Sequence, residues 1–247
     1  LKPETRQCQE PGSYQSEPVT LTGRHFFWTS CPGCQAKRKA AEEKEEAERR
    51  RREKEAEKRL RLKDSGIPPR FADASLEAWQ VKNAGQERVL EFAKNYIRDF
   101  REICGGGRCA AFVGNPGTGK TYLASAIGLA LIDLGLSVVY AKVQDVMLRI
   151  KASWRDRNGE ETELEIISGL TDPHLLILDE IGVQFGSDFE RQMLCHIFDE
   201  RYIRRRPTLI LSNLPTFEMK RFLGERVADR MNDNGLGVIE FDWESQR

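Results

Sequence analysis

The chain has no hydrophobic run approaching the ~18 consecutive apolar residues of a membrane-spanning helix, so no membrane partner is expected. Its opening stretch, LKPETRQCQEPG, lacks the apolar core that a secretory leader needs. It also lacks net charge. The 39 lysines and arginines balance 39 aspartates and glutamates, so no global field draws it to nucleic acid, and any DNA contact must come from a local basic surface. No internal repeat is visible, which argues against stacked-repeat architectures. Without an export signal the six cysteines are not expected to form disulfides. What is present is 247 residues, 39% of them hydrophobic. That suffices for one domain of ordinary size with a packed core, plus an appendage.

Composition divides the chain into three parts. Residues 1–35 read as an irregular, cysteine-rich module with turn formers and an aromatic cluster at Phe26, Phe27 and Trp28. Residues 36–66 form a charged helical arm and linker. Between 36 and 64 almost every residue is Ala, Glu, Lys or Arg, strong helix formers, with 13 basic and nine acidic side chains. Lacking an apolar stripe, this helix buries no face of its own. It is either a solvated spacer held by Glu–Lys/Arg pairs four residues apart or an arm that docks on another protein or on phosphates. The SGIPP segment (65–69) stops it, because Gly and consecutive Pro cannot continue a helix.

Residues 67–247 alternate strands with helices. Strands are expected at 108–114, 137–143, 174–180, 208–213 and 237–243, giving a five-stranded parallel α/β sheet with right-handed crossovers. The continuous apolar run HLLILDE suits a strand covered on both faces.

GNPGTGKT spans Gly114, Asn115, Pro116, Gly117, Thr118, Gly119, Lys120 and Thr121. It fits the phosphate-binding pattern G-x-x-x-x-G-K-[ST] and lies between a strand and a helix, as the mechanism requires. Its glycines let backbone N–H groups turn around phosphate oxygens at a helix N-terminus. Lys120 reaches the β and γ phosphates and the Thr121 hydroxyl holds Mg²⁺. Asp179, closing a buried strand, completes the metal site, and Glu180 polarises the attacking water. Asn213 ends a strand expected between the P-loop strand and the Asp179 strand. There its amide either holds that water or merely caps the turn before Pro215. In 224–231, GERVADRM, Arg226 and Arg230 lie one helical turn apart. Cys31 and Cys34 form a C-x-x-C knuckle, a half-site for zinc, with Cys8 as a plausible third ligand. Cys104, Cys109 and Cys195 read as buried thiols.

Together, GNPGTGKT, LLILDEIGVQ, RPTLILSNLP, GERVADRM and IEFDWESQR resemble the DnaC-type replicative-helicase loaders. That family belongs to the initiator branch of AAA+ ATPases, alongside DnaI and the transposition helper IstB. The resemblance covers about 65–247. It implies a five-stranded AAA+ core with a truncated lid and an ATPase using ATP and Mg²⁺. It also places Asn213 at the sensor 1 position and a trans-acting arginine finger in GERVADRM, with Arg226 the first choice and Arg230 the second. ATP would then lie between subunits of a self-associated oligomer. Implied partners are a DnaB-like hexameric replicative helicase and single-stranded DNA, in a bacterial or phage-encoded cytoplasmic protein; the IstB relationship implies instead a helper of transposition. The segment 143–170 corresponds to an extra element facing DNA in initiator-type relatives. Arg149, Lys151, Trp154, Arg155 and Arg157 either contact DNA there, by phosphate pairing and base stacking, or form a solvated basic helix with Trp154 half buried. Relatives with a small zinc module carry Cys-x-x-His-Gly early; here Pro11 replaces that histidine. His25 is the nearest alternative fourth ligand, the other options being water or no metal at all.

Overall fold

The computed structural model describes residues 2–10, 12–21, 25–155, 161–182, 187–233, 235 and 237–245. The chain divides into two compact units, Leu1–Glu57 and Lys58–Arg247.

The first unit is not irregular. It contains two antiparallel hairpins, β1 (Glu4–Cys8) with β2 (Gly12–Ser16), and β3 (Pro18–Leu21) with β4 (His25–Trp28). The first hairpin, ETRQC with GSYQS, carries almost no apolar alternation, so periodicity could not announce it. The Ser16 hydroxyl donates to the Thr29 carbonyl at 2.8 Å, and the Glu17 N–H donates to the Thr29 hydroxyl at 2.9 Å. The Arg6 guanidinium sits 4.6 Å from the centre of the Trp28 ring.

Helix α1 runs from Pro32 to Asp64 and crosses the division between the units. It begins four residues before the expected start. Pro32 is a favourable first helical residue because the N–H it lacks would have no helical partner. None of its residues is buried. Glu–Arg and Glu–Lys pairs one turn apart line it at Lys39–Glu43, Arg50–Glu46 and Arg49–Glu53, each worth only about 0.3–0.5 kcal/mol at such exposure. It stops at Asp64, before Gly66, as the sequence requires. Within the second unit, Leu62 packs on the core and Lys58 pairs with Asp133 at 2.8 Å.

The second unit is a parallel sheet of β5 (Ala110–Gly114), β6 (Val138–Lys142), β7 (Leu175–Ile181), β8 (Thr208–Ser212) and β9 (Gly237–Phe241), in the order β6-β7-β8-β5-β9. β8 lies between β5 and β7, as expected. Alternate residues face opposite layers. Ala110, Phe112, Leu175 and Ile177 join one core with α2 (Ala84–Arg98), α3 (Phe100–Gly106) and α4 (Lys120–Asp133). Ala111, Val113, Leu176 and Leu178 join the other. Its helices are α5 (Val143–Ser153), α6 (Glu163–Thr171), α7 (Asp188–Ile203), α8 (Thr216–Leu223) and α9 (Glu225–Asp233). Each wholly buried aliphatic side chain contributes about 1.5–3 kcal/mol, which is why the central strands are apolar along most of their length. The fully buried Arg201 guanidinium donates to the Thr208 hydroxyl and to the carbonyls of Leu170 and Pro207. Burial pushes its pKa down to about 10. Cys104, Cys109 and Cys195 are only partly buried, because each lies at the border of a core rather than inside it.

Candidate nucleotide site

The C-terminal edge of the parallel sheet, where strands end and helices begin, is the usual ligand crevice of such folds. A cavity of about 240 Å³ opens there. The P-loop runs from β5 into α4. Gly117 and Gly119 have φ of +83° and +98°, a region that disfavours side chains. A β-carbon at Gly119 would lie 2.7 Å from the Trp79 ring. The loop therefore presents backbone rather than side chains, the surface that cradles phosphate.

Pro116, Gly117, Gly119, Lys120, Thr121, Asp179, Glu180 and Asn213 all line this cavity. Lys120 donates to the carbonyls of Gly114 and Asn115 at 2.6 and 2.8 Å. Burial lowers its pKa to about 8, against an opposing pull from Asp179. Thr118 folds back, its hydroxyl donating to the Asn115 carbonyl at 2.8 Å. The Thr121 hydroxyl donates to Asp179 Oδ2 at 3.0 Å. That pair, one hydroxyl and one carboxylate oxygen at the cavity wall, is a hard-oxygen donor set suited to Mg²⁺.

Consecutive residues of a regular strand point to opposite faces, yet Asp179 and Glu180 share this cavity. The register explains it. β7 pairs Leu178 with Ile210 and Ile181 with Ser212, so β7 holds one residue more than β8 over that step. Glu180 sits at φ 63°, the left-handed region. The bulge re-aims its side chain, at a backbone cost of about 1–3 kcal/mol.

Several residues at the site had no signal in the motifs. The Tyr140 hydroxyl donates to Asp179 Oδ2 at 2.7 Å, and burial, reinforced by the Asp179 charge, raises its pKa. Lys142 pairs with Glu180 Oε1 at 2.8 Å, which raises the lysine pKa. Both lie at the end of β6, where Lys142 stands opposite Asp179. Strand order alone would have placed them beside the acids. Arg70, Phe71 and Tyr122 complete the cavity wall.

Arg226 and Arg230 do not line this cavity. Both pair with Asp199 of α7, Arg226 at 2.7 Å. Arg230 also lies 5.4 Å from the centre of the Tyr202 ring. Its side chain is 25% exposed, against 66% for Arg226.

The candidate DNA segment is engaged by acids of its own chain. Arg149 donates to Glu161 and the Trp154 indole to Glu163. Trp154 meets Phe189 edge-on at 5.1 Å, and Lys151 sits 5.3 Å from the Phe189 ring centre. Arg155 is exposed, and Arg157 lies outside the described residues.

In the first unit the sulfurs of Cys8, Cys31 and Cys34 lie within 4.8 Å of one another. The hairpin delivers Cys8 to the start of α1. The Glu10 N–H, followed by Cys34, lowers the Cys8 pKa, while Cys8 raises that of Cys34 to about 11. Three convergent thiols fit a soft-ligand metal site. His25 opens β4, and its side chain lies outside the described residues.

The model of the IstB-like ATP binding protein family matches residues 40–235. The chain belongs to that family. Its DnaC-type resemblance holds as well. The replicative helicase loader DnaC of Escherichia coli (strain K12) is 40% identical over 186 residues, covering 74% of this chain and 73% of that protein. The crystal structure of the DnaC helicase loader superposes with a TM-score of 0.61 at 26% identity, over 70% of this chain and 99% of that one. AMPPCP-bound DnaA from Aquifex aeolicus shares the fold, with a TM-score of 0.57 at 21% identity over 70% of this chain and 51% of that one. The five-stranded sheet is thus the AAA+ core of an ATP-binding IstB-like protein. Among the described residues, no helix is long and apolar enough to cross a membrane.

Proposed function

We propose that this chain loads a hexameric replicative helicase onto single-stranded DNA, using ATP binding and hydrolysis to time grip and release. The reading is carried by one observation: five residues from three separate motifs, Lys120, Thr121, Asp179, Glu180 and Asn213, converge on one cavity in a chain 40% identical to DnaC loaders. Bound ATP supplies the scissile phosphoanhydride and Mg²⁺ the charge neutralisation. Lys120 and the P-loop backbone hold the phosphates. Thr121 and Asp179 face the metal, Glu180 orients water and Asn213 fixes that water's position. Arg226 completes the site of a neighbouring copy, so that DNA or partner binding stimulates turnover by assembling the seam. Arg149 and Trp154 exchange Glu161 and Glu163 for DNA phosphates and bases, and Lys151 and Arg155 join them on the same surface. The cysteine module, holding zinc through Cys8, Cys31 and Cys34 with His25 or water as a fourth ligand, forms with the charged arm the end that grips the helicase. The setting is the cytoplasm of a bacterium.

The family model that matches is named for IstB, which keeps a transposition helper as the second reading. A pull-down with a DnaB-type hexameric helicase, with and without ATP, separates the two. ATP-dependent capture of the helicase is expected. Capture of a transposase and duplex DNA, with no helicase bound, would favour the IstB role.

A further inference from the structure

The segment after β9, Asp242 to Ser245, belongs to none of the nucleotide-binding motifs, yet it lies against the P-loop. The Trp243 indole N–H donates to the Thr118 carbonyl at 3.0 Å. The Trp243 ring packs on Phe241, 5.0 Å between centres, and Phe241 packs on Phe112 of the neighbouring strand β5. Asp242 approaches Arg88 of α2 to 3.9 Å. A side chain at Gly117 would collide with Ser245. The strap is thus anchored in the core on one side and meets the loop at two places, Gly117 and Thr118.

We propose that Trp243 is a positioning residue for phosphate binding: its indole fixes the peptide plane between Thr118 and Gly119. No cis peptide occurs among the described residues, and in a trans peptide the N–H points opposite to the C=O. With the Thr118 carbonyl held on the strap side, the Gly119 N–H faces away from the strap, towards the cavity that Gly119 lines. Gly119 is also the residue before α4, where backbone N–H groups and the helix dipole converge on an anion. Left unheld, the peptide joining Thr118 to Gly119, a residue with no side chain to restrict φ, can rotate as a unit and withdraw that donor. Trp243 touches no substrate atom; it acts through the loop. The inference rests on the P-loop being the nucleotide site.

The test uses the full chain. Trp243→Phe keeps a ring on Phe241 and removes the donor. Calorimetric titration with ADP should show the dissociation constant rising about five-fold, the scale of one neutral hydrogen bond. A purely structural indole would lower the unfolding temperature of the nucleotide-free protein and leave ADP affinity unchanged; that result overturns the proposal. A second measurement does not depend on that variant folding. The chain has four tryptophans, so indole ¹⁵N labelling gives four resonances, assigned by replacing each tryptophan singly. Saturation with ADP should shift the Trp243 resonance and slow exchange of its proton with solvent. An unmoved, unprotected Trp243 signal at saturating ADP contradicts the role. A wild-type chain that binds no ADP removes the nucleotide reading itself, a failure distinct from either.

Discussion

Lys120 is 7% exposed, and its ammonium is hydrogen-bonded to two backbone carbonyls. Burial holds its pKa near 8. Phosphate oxygens beside it favour the charged form and raise that value. Above about pH 8 nucleotide binding must therefore draw in a proton, and affinity must fall as pH rises. ADP titrations between about pH 7 and pH 9.5 should show a loss approaching ten-fold per unit at the alkaline end, with proton uptake visible as a dependence of the heat on buffer. Lys120→Ala should bind no nucleotide detectably at any of these pH values. Glu180 presents the opposite case. Its position depends on a bulge and on Lys142, and phosphate contacts do not require it. Glu180→Gln should bind ATP as tightly as wild type in equilibrium titrations and lose at least ~100-fold in turnover, in line with loss of a general base.

Two elements decide which arginine can act on a neighbour. α7 offers Asp199 and, one turn on, Tyr202. α9 brings Arg226 and Arg230 to the same carboxylate. Val227 and Met231 of α9 are buried, so the helix cannot rotate to exchange the two. Arg230, held by charge and ring together, anchors α9. Arg226, 66% exposed, can extend and leave Asp199 to Arg230. Arg230→Ala should lower the unfolding temperature of the isolated chain. Arg226→Ala should leave it nearly unchanged, since Asp199 keeps Arg230 as its partner, and should abolish DNA- or partner-stimulated hydrolysis. Stimulated turnover in Arg226→Ala equal to wild type would move the finger elsewhere. The sequence showed the two arginines and their spacing, but Asp199 and Tyr202 lie 27 and 28 positions before their partners, in a helix with no motif. Nothing local distinguished one arginine from the other.

At the scale of the molecule, the ATPase core was the most legible part. Its inner strands β5, β7 and β8 are largely apolar runs buried on both faces, and GNPGTGKT has few structural roles other than phosphate binding. The supporting residues were hidden because they depend on topology. Tyr140 and Lys142 matter only because β6 lies beside β7, and Trp243 only because β9 lies beside β5. The first unit was misread for a different reason. Its first hairpin is short and polar and follows hydrogen bonding rather than hydrophobic period, and the four-residue strands of the second are too short to show one.

The proposed site holds ATP between two copies of the chain, one providing the P-loop and the other Arg226. Mixing two inactive variants tests this directly. Lys120→Ala retains the arginine and lacks the nucleotide site; Arg226→Ala retains the site and lacks the arginine. With single-stranded DNA and helicase present, the mixture should hydrolyse ATP at a substantial fraction of the wild-type rate while each variant alone stays near background. A mixture no faster than its separate components, under conditions where wild type is active, would contradict a shared site.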